Sequence, residues 1–213
     1  MNFHIITILP NSFSYLNESM LFAAQKNKKI KIKIYDLRDF TKDKHRKVDY
    51  KPYGGGPGMV IYAEPILRAV DKIKKGKNKP KFKIVILSPG GKEFNNKVAL
   101  SLSRKYTDII LIAGHYEGID ARVKKALRAE EYTVGPYVLT GGELPAMIMV
   151  DAISRQIEGV LGNIDSLEEK RVSTSEVYTR PEVLKYGGKN YKVPKILLSG
   201  HHKKIEEWKK GKS

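Results

Sequence analysis

The chain predicts an α/β fold built on a mostly parallel sheet. Three observations carry that expectation. Short β-branched apolar runs of strand length recur along the chain, helical stripes of about ten residues separate them, and glycine-bearing loops follow where the later runs end.

The first run, residues 3–9, is apolar and is stopped by Pro10, which suits a buried strand. Residues 15–26 carry Leu16, Met20, Phe22, Ala23 and Ala24 and predict a helix. Residues 29–35 alternate strictly, with Ile30, Ile32 and Ile34 on one face and lysines on the other, as in a half-buried strand. Pro65 sits at a first helical position, opening a stripe of Ile66, Leu67, Ala69, Val70 and Ile73. Two more buried strands, residues 82–87 and 108–113, flank a helix over 95–104. A short strand over 132–134 follows, and Pro145 opens a last helix through Met147, Ile148, Val150 and Ile153.

Helical crossovers between strands imply parallel pairing, and such sheets bind ligands in the loops beyond the carboxyl ends of their strands. The late strands lead into Ser88-Pro89-Gly90-Gly91, into residues 114–120 and into residues 135–143, each bearing glycine. One such loop is ordinarily a turn. Three at successive strand ends predict a single composite pocket.

With 213 residues, the chain is long enough to bury roughly 70% of its unfolded surface. It has no cysteine, so disulfides, thiolate metal sites and a cysteine nucleophile are excluded. The histidines His4, His45, His115, His201 and His202 have no ligand spacing, so no metal site is expected. No apolar run approaches the roughly 20 residues of a membrane helix, and no secretion signal is visible, so a soluble cytoplasmic protein is expected. Forty Lys and Arg against 23 Asp and Glu give a net charge of +17, the footprint of a polyanion binder. A lysine-rich surface with no such partner would have the same composition. There is no phosphate-binding G-x-x-x-x-G-K-[ST], and no G-x-G-x-x-G follows the first strand.

The loops resemble, nearly word for word, those of bacterial tRNA (guanine-N1)-methyltransferases of the TrmD type, which are knotted SPOUT methyltransferases. The resemblance is carried by residues 37–40, 53–59, 114–120, 141–147, 151–155, 178–182 and 197–200, in the family's order along almost the whole chain. It implies a deep trefoil knot on the carboxyl side of the sheet and a short helical C-terminal extension. The implied domains are a methyltransferase domain over 1–160, a linker loop over 161–180 and a truncated helical tRNA-binding domain over 181–213. It also implies S-adenosylmethionine as methyl donor, magnesium as an aid to activity, a homodimer with sites at the subunit interface, and tRNA as partner. By resemblance Pro89, Gly114, Tyr116, Glu117 and Gly118 would contact the donor. The backbone of Val134, Gly135, Pro136, Tyr137, Val138 and Leu139 would hold the adenine, with Gly141, Gly142 and Pro145 closing the knot. Glycines suit that task, because they let main chain approach a ligand closely.

The implied reaction is methylation of N1 of guanine 37, beside the anticodon. N1 carries a proton, so transfer needs a base to remove it and a cation for the charge developing on O6. Arg155 matches the family arginine assigned to that charge, and a guanidinium stays protonated. Where the family usually has an acidic residue followed by Ser-Phe, this chain has Lys170-Arg171-Val172. Glu169 is the preferred base, with Asp165 and Glu168 as alternatives.

The family's base-facing loop matches Tyr53, Gly56, Pro57, Gly58 and Met59, preceded by a basic loop containing Arg46. Its glycines leave room for a flipped guanine. Against the family's C-terminal domain the chain ends early, at Ser213, so one basic helix is expected there, with Trp208 either packing it onto Ile205, the preferred reading, or offering a stacking face. Two other functions fit less of the sequence: a related SPOUT enzyme with another RNA target, and an RNA-binding module that has lost catalysis through Lys170.

Overall fold

The computed structural model describes residues 1–76, 80–161 and 176–210. The chain divides into two units, Met1–Leu161 and Gly162–Ser213.

In the first unit, β1 (Asn2–Thr7), β2 (Lys31–Asp36), β5 (Phe82–Glu93), β6 (Asp108–Ala113) and β7 (Glu130–Thr133) form one sheet in the order β2-β1-β6-β5-β7. Every pairing in it is parallel. A two-residue pair, β3 (Asp49–Tyr50) and β4 (Val60–Ile61), lies apart. The central strand β6 is apolar on both faces after Asp108 and buried throughout, as a parallel strand between two helical layers must be. Burying Ile109, Ile110, Leu111 and Ile112 contributes about 1.5–3 kcal/mol each.

The period of two divides the core. Phe3, Ile5, Val85, Leu87, Ile109 and Leu111 face α1 (Ser19–Lys26), α3 (Asn96–Lys105) and α5 (Glu143–Arg155). Ile6, Ile84, Ile86, Ile110 and Ile112 face α2 (Ala63–Lys74) and α4 (Arg122–Leu127) on the other side. The stripe Ile66, Ala69, Val70 and Ile73 packs there as its spacing predicts. The α3 helix is capped by Asn95, whose side chain accepts from the Val98 amide at 3.1 Å.

Two expectations need correction. The predicted helix over 15–26 is two elements: a 3-10 segment, Pro10–Asn17, and then α1, separated by extended Glu18 and by Ser19 at φ 49°. Phe13 and Leu16 are thereby turned into the core from the 3-10 segment. Nor does β5 end at Leu87. It continues to Glu93 through Ser88-Pro89-Gly90-Gly91, with the register against β7 shifting between Leu87 and Lys92, both of which pair with Tyr132. Gly91 passes so close that a Cβ would stand 2.6 Å from the Tyr132 amide nitrogen.

In the second unit, β8 (Val183–Tyr186) and β9 (Lys189–Lys192) form an antiparallel hairpin, followed by a 3-10 turn at Lys195–Leu198 and α6 (His202–Lys210). Gly187 and Gly188, at φ 57° and 73°, supply the two positive-φ positions of a tight hairpin turn. The described part of this extension therefore carries strands besides the expected helix. Alternation at 183–192 is the missed signal, masked by its many lysines.

Candidate functional site

A cavity of about 420 Å³ opens beyond the carboxyl ends of β6 and β7, beside residues 86–89 of β5, where a parallel sheet offers its loops. Its walls come from residues 86–89, 114–121, 131–134 and 137–142, with Lys124 and with Pro145 in the first turn of α5. Pro89, Gly114, Tyr116, Glu117, Gly118, Val134, Tyr137, Val138, Leu139, Gly141, Gly142 and Pro145 are all brought to it. Gly135 and Pro136 are not in its wall. A Cβ on Gly135 would meet the Tyr137 ring at 2.3 Å, so that ring covers it.

The middle loop is held from two sides. Toward α5, the Gly142 amide donates to the Gly114 carbonyl at 2.7 Å and His115 pairs with Gly141 in an isolated antiparallel bridge. Glycine is required at Gly142, where backbone stands in the way, and at Gly141 two side chains fill the space. A Cβ on Gly142 would stand 2.7 Å from Ala113 Cα, and one on Gly141 would meet Glu143 Oε2 at 2.3 Å and His115 Nδ1 at 2.5 Å. Toward β4, the Glu117 amide donates to the Met59 carbonyl at 3.0 Å and the Ile61 amide to the Gly118 carbonyl at 3.0 Å. Tyr116 sits at φ 58°, a left-handed conformation that costs a non-glycine residue about 1–3 kcal/mol.

These contacts place the glycine-rich loop against the cavity's edge. Gly54, Gly55, Gly56 and Gly58 all have positive φ, and a Cβ on Gly58 would stand 2.5 Å from the Glu117 carboxylate. Tyr53 is wholly exposed, and Pro57 lies on the exposed part of the same loop. Arg46, itself at φ 57°, is paired with Asp39 on the preceding loop.

The cavity wall carries both signs of charge. The Arg122 guanidinium, 2.6 Å from Asp120 Oδ2, holds the Asp120 carboxyl below the usual carboxylate range. Lys124 pairs with Glu131 at 2.6 Å. Glu143 is buried, accepting from the Thr7 hydroxyl at 2.9 Å, and its other oxygen lies 3.6 Å from His115 Nδ1. Sequence reasoning did not single out Thr7, His115 or Glu143 as a group, since 136 residues separate Thr7 from Glu143. Among the described residues, no group of three or more His, Asp or Glu could hold a metal ion.

Arg155 is not at this cavity. It ends α5, a thirteen-residue helix about 18 Å long that has Pro145 of its first turn in the cavity wall and Arg155 at its far end. Its Nε is buried there without a hydrogen bond. Glu169, Asp165 and Glu168 lie outside the described residues.

The family model described as tRNA (Guanine-1)-methyltransferase TrmD matches residues 1–213. The chain belongs to the TrmD family. Curated TrmD relatives named tRNA (guanine-N(1)-)-methyltransferase match nearly the whole of this chain. The Clostridioides difficile protein is 44% identical over 218 residues, covering 100% of this chain and 92% of the relative. The Dictyoglomus turgidum protein is 46% identical, covering 97% and 82%. That from Finegoldia magna is 40% identical, covering 98% and 88%. The cavity-lining loops of this TrmD-family chain are thus those through which the sequence resemblance was first visible.

Proposed function

We propose that the protein methylates N1 of guanine 37 in tRNA with S-adenosylmethionine as methyl donor. The observation that carries this reading is the cavity formed by β5, β6 and β7 and their loops, with glycines 114, 118, 141 and 142 in its wall, in a chain matching the TrmD family end to end.

The residues present fit the donor. The amides of Tyr137, Val138 and Leu139 have no acceptor among the described residues, so this strap has main-chain groups to spend on an adenine edge. Glycines at 114, 118, 141 and 142 let backbone approach a ligand closely. The mixed charges of Glu117, Asp120, Lys124 and Glu131 suit a ligand bearing a sulfonium, an ammonium and a carboxylate. When bound, the donor supplies an electrophilic methyl group on sulfur. The chain's residues do the rest: a carboxylate takes the N1 proton, the freed N1 pair forms the new C–N bond as the C–S pair returns to sulfur, and Arg155 donates to O6. Glu169 is our preferred carboxylate, ahead of Asp165 and Glu168.

With Arg155 at the far end of α5 from the cavity of its own chain, we assign it to the cavity of a second copy, making the enzyme a homodimer. In support, Leu144 and Ile148 stand exposed one helical turn apart on α5, the face that also carries Arg155. The return of the chain from β7 to pack Gly142 on Ala113–Gly114 before entering α5 supports the trefoil knot of a SPOUT fold. For tRNA binding, the exposed Tyr186 and Tyr191 of the β8–β9 hairpin lie among Lys185, Lys189 and Lys192, a combination that suits stacking and phosphate contact. The loop from Tyr53 to Met59 would admit the target guanine, with Arg46 nearby on phosphate. Magnesium assists activity in this reading, and the enzyme works in the cytoplasm; no described helix is long and apolar enough to cross a membrane.

Radiolabelled methyl transfer to two tRNA transcripts, alike except for guanine or adenine at position 37, tests the proposal. Labelling of the guanine transcript alone is expected. Equal labelling of both, or donor binding without any labelling, would overturn it.

A further inference from the structure

The Thr7–Glu143–His115 chain is not accounted for by the chemistry above. Glu143 opens α5, and its side chain is only 9% exposed. A buried carboxylate needs partners for both oxygens. One is supplied: the Thr7 hydroxyl at the carboxyl end of β1 donates to Oε1 at 2.9 Å. The helix N-terminus contributes a favourable field, but it supplies no second hydrogen bond to Oε2. That oxygen is aimed at His115 Nδ1, at 3.6 Å, just beyond hydrogen-bond length. His115 Nδ1 is in turn buried and without any hydrogen bond. A buried imidazole nitrogen, costly to leave unsatisfied, therefore faces a carboxylate oxygen across a gap slightly too wide.

The gap is bounded by the cavity wall itself. His115 and Gly141 are bridge partners, and the space a Gly141 Cβ would need is already filled by Glu143 Oε2 and His115 Nδ1. The His115 ring lines the cavity, and Tyr116 packs edge-on against it at 5.0 Å. The Gly142–Gly114 hydrogen bond already holds the strap and the middle loop together, so closing the gap takes only a side-chain movement of roughly 0.5 Å.

We propose that His115 and Glu143 are a latch for the methyl-donor cavity. Its hydrogen bond, Nδ1–H to carboxylate, is completed when the donor fills the pocket. His115 is then a positioning residue: it fixes the spacing of the two backbone walls through Glu143, which β1 anchors at Thr7. The inference rests on the methyl-donor reading of the cavity and names the side chains that close it.

The test is isothermal titration of the full chain with S-adenosylhomocysteine, alongside steady-state kinetics with tRNA. Glu143→Gln and His115→Ala each weaken binding about tenfold, the equivalent of one charge-assisted hydrogen bond. The donor KM rises in step, while kcat at saturating donor falls less than threefold. His115→Asn, whose amide nitrogen can stand where Nδ1 stood, recovers most of the affinity. His115→Gln, which extends the other ring edge, does not. In the wild-type complex, the imidazole nitrogen-15 shifts show a protonated Nδ1. The latch is refuted if the variants bind like wild type, if Asn and Gln are equally poor, or if the complex holds the tautomer with bare Nδ1. Absence of binding to the wild-type chain would instead sink the donor reading and the latch with it.

Discussion

Substitution of Gly142 by alanine is the most direct probe of the cavity, because its effect follows from backbone distances alone. The new Cβ would stand 2.7 Å from Ala113 Cα and 2.8 Å from the Gly114 nitrogen. Carbon contacts are comfortable at about 3.5–4.0 Å, so the strap must retreat by roughly 1 Å. Neither neighbour can give way, since Ala113 ends the buried central strand. A retreat of that size breaks the 2.7 Å hydrogen bond from the Gly142 amide to the Gly114 carbonyl, at about 1 kcal/mol. Residual crowding adds about 1–3 kcal/mol. Where the strap yields, the total of about 2–4 kcal/mol appears as a loss of at least thirtyfold in S-adenosylhomocysteine affinity by calorimetry. Where it does not, the first unit bears the cost and its melting midpoint drops by about 4–16 °C. Gly90→Ala is the control: nothing lies within 4 Å of its Cβ, so both quantities should stay at wild-type values. Wild-type binding and melting in Gly142→Ala would refute the close-approach argument.

Other outcomes are expected from separate parts of the molecule. Arg155→Lys should lower kcat by about 10²–10³ in the methyl-transfer assay with donor affinity preserved, and an unchanged kcat would remove Arg155 from the reaction. Ile148→Asp puts a charge on the exposed face of α5; sedimentation should show monomers that bind donor yet transfer no methyl, and an active monomer would refute the shared site. The Lys83 ammonium holds the Glu130 carboxyl below its usual range, so this stabilisation is present at neutral pH and is lost as pH falls through the lowered value. Burial and Glu130 push the Tyr132 phenol up to about 12 from 10.0, so its contribution is full below pH 10 and lost on approaching 12. Melting curves against pH should therefore show Glu130→Gln flattening the acid limb and Tyr132→Phe the alkaline one.

How far the sequence could be read depended on the range of the forces involved. The boundaries of β6 were legible to the residue, because Asp108 and Gly114 bracket an unbroken apolar run. The α2 stripe was equally plain. Glu18, by contrast, ends the 3-10 segment through an extended conformation that no local preference demands, so residues 15–26 looked continuous. The passage of β5 beyond Leu87 was hidden by Pro89, Gly90 and Gly91, which ordinarily stop a strand; here the neighbouring β7 recaptures the chain at Lys92. In the site, glycine-bearing loops at successive strand ends pointed to the cavity. Its polar interior did not show, since Thr7, His115 and Glu143 are joined only by tertiary packing.

A pocket with glycines 114, 118, 141 and 142 in its wall has a consequence for inhibition. Point substitutions usually defeat a drug by exchanging a contacting side chain, and a glycine presents only an amide and a carbonyl, which a codon change does not remove. The remaining route to escape is to move the backbone, and the glycines at 141 and 142 have no free space in which to do so. A competitor that addresses those amides and leaves the exposed Val138 and Tyr137 side chains alone would leave the organism few viable routes to resistance.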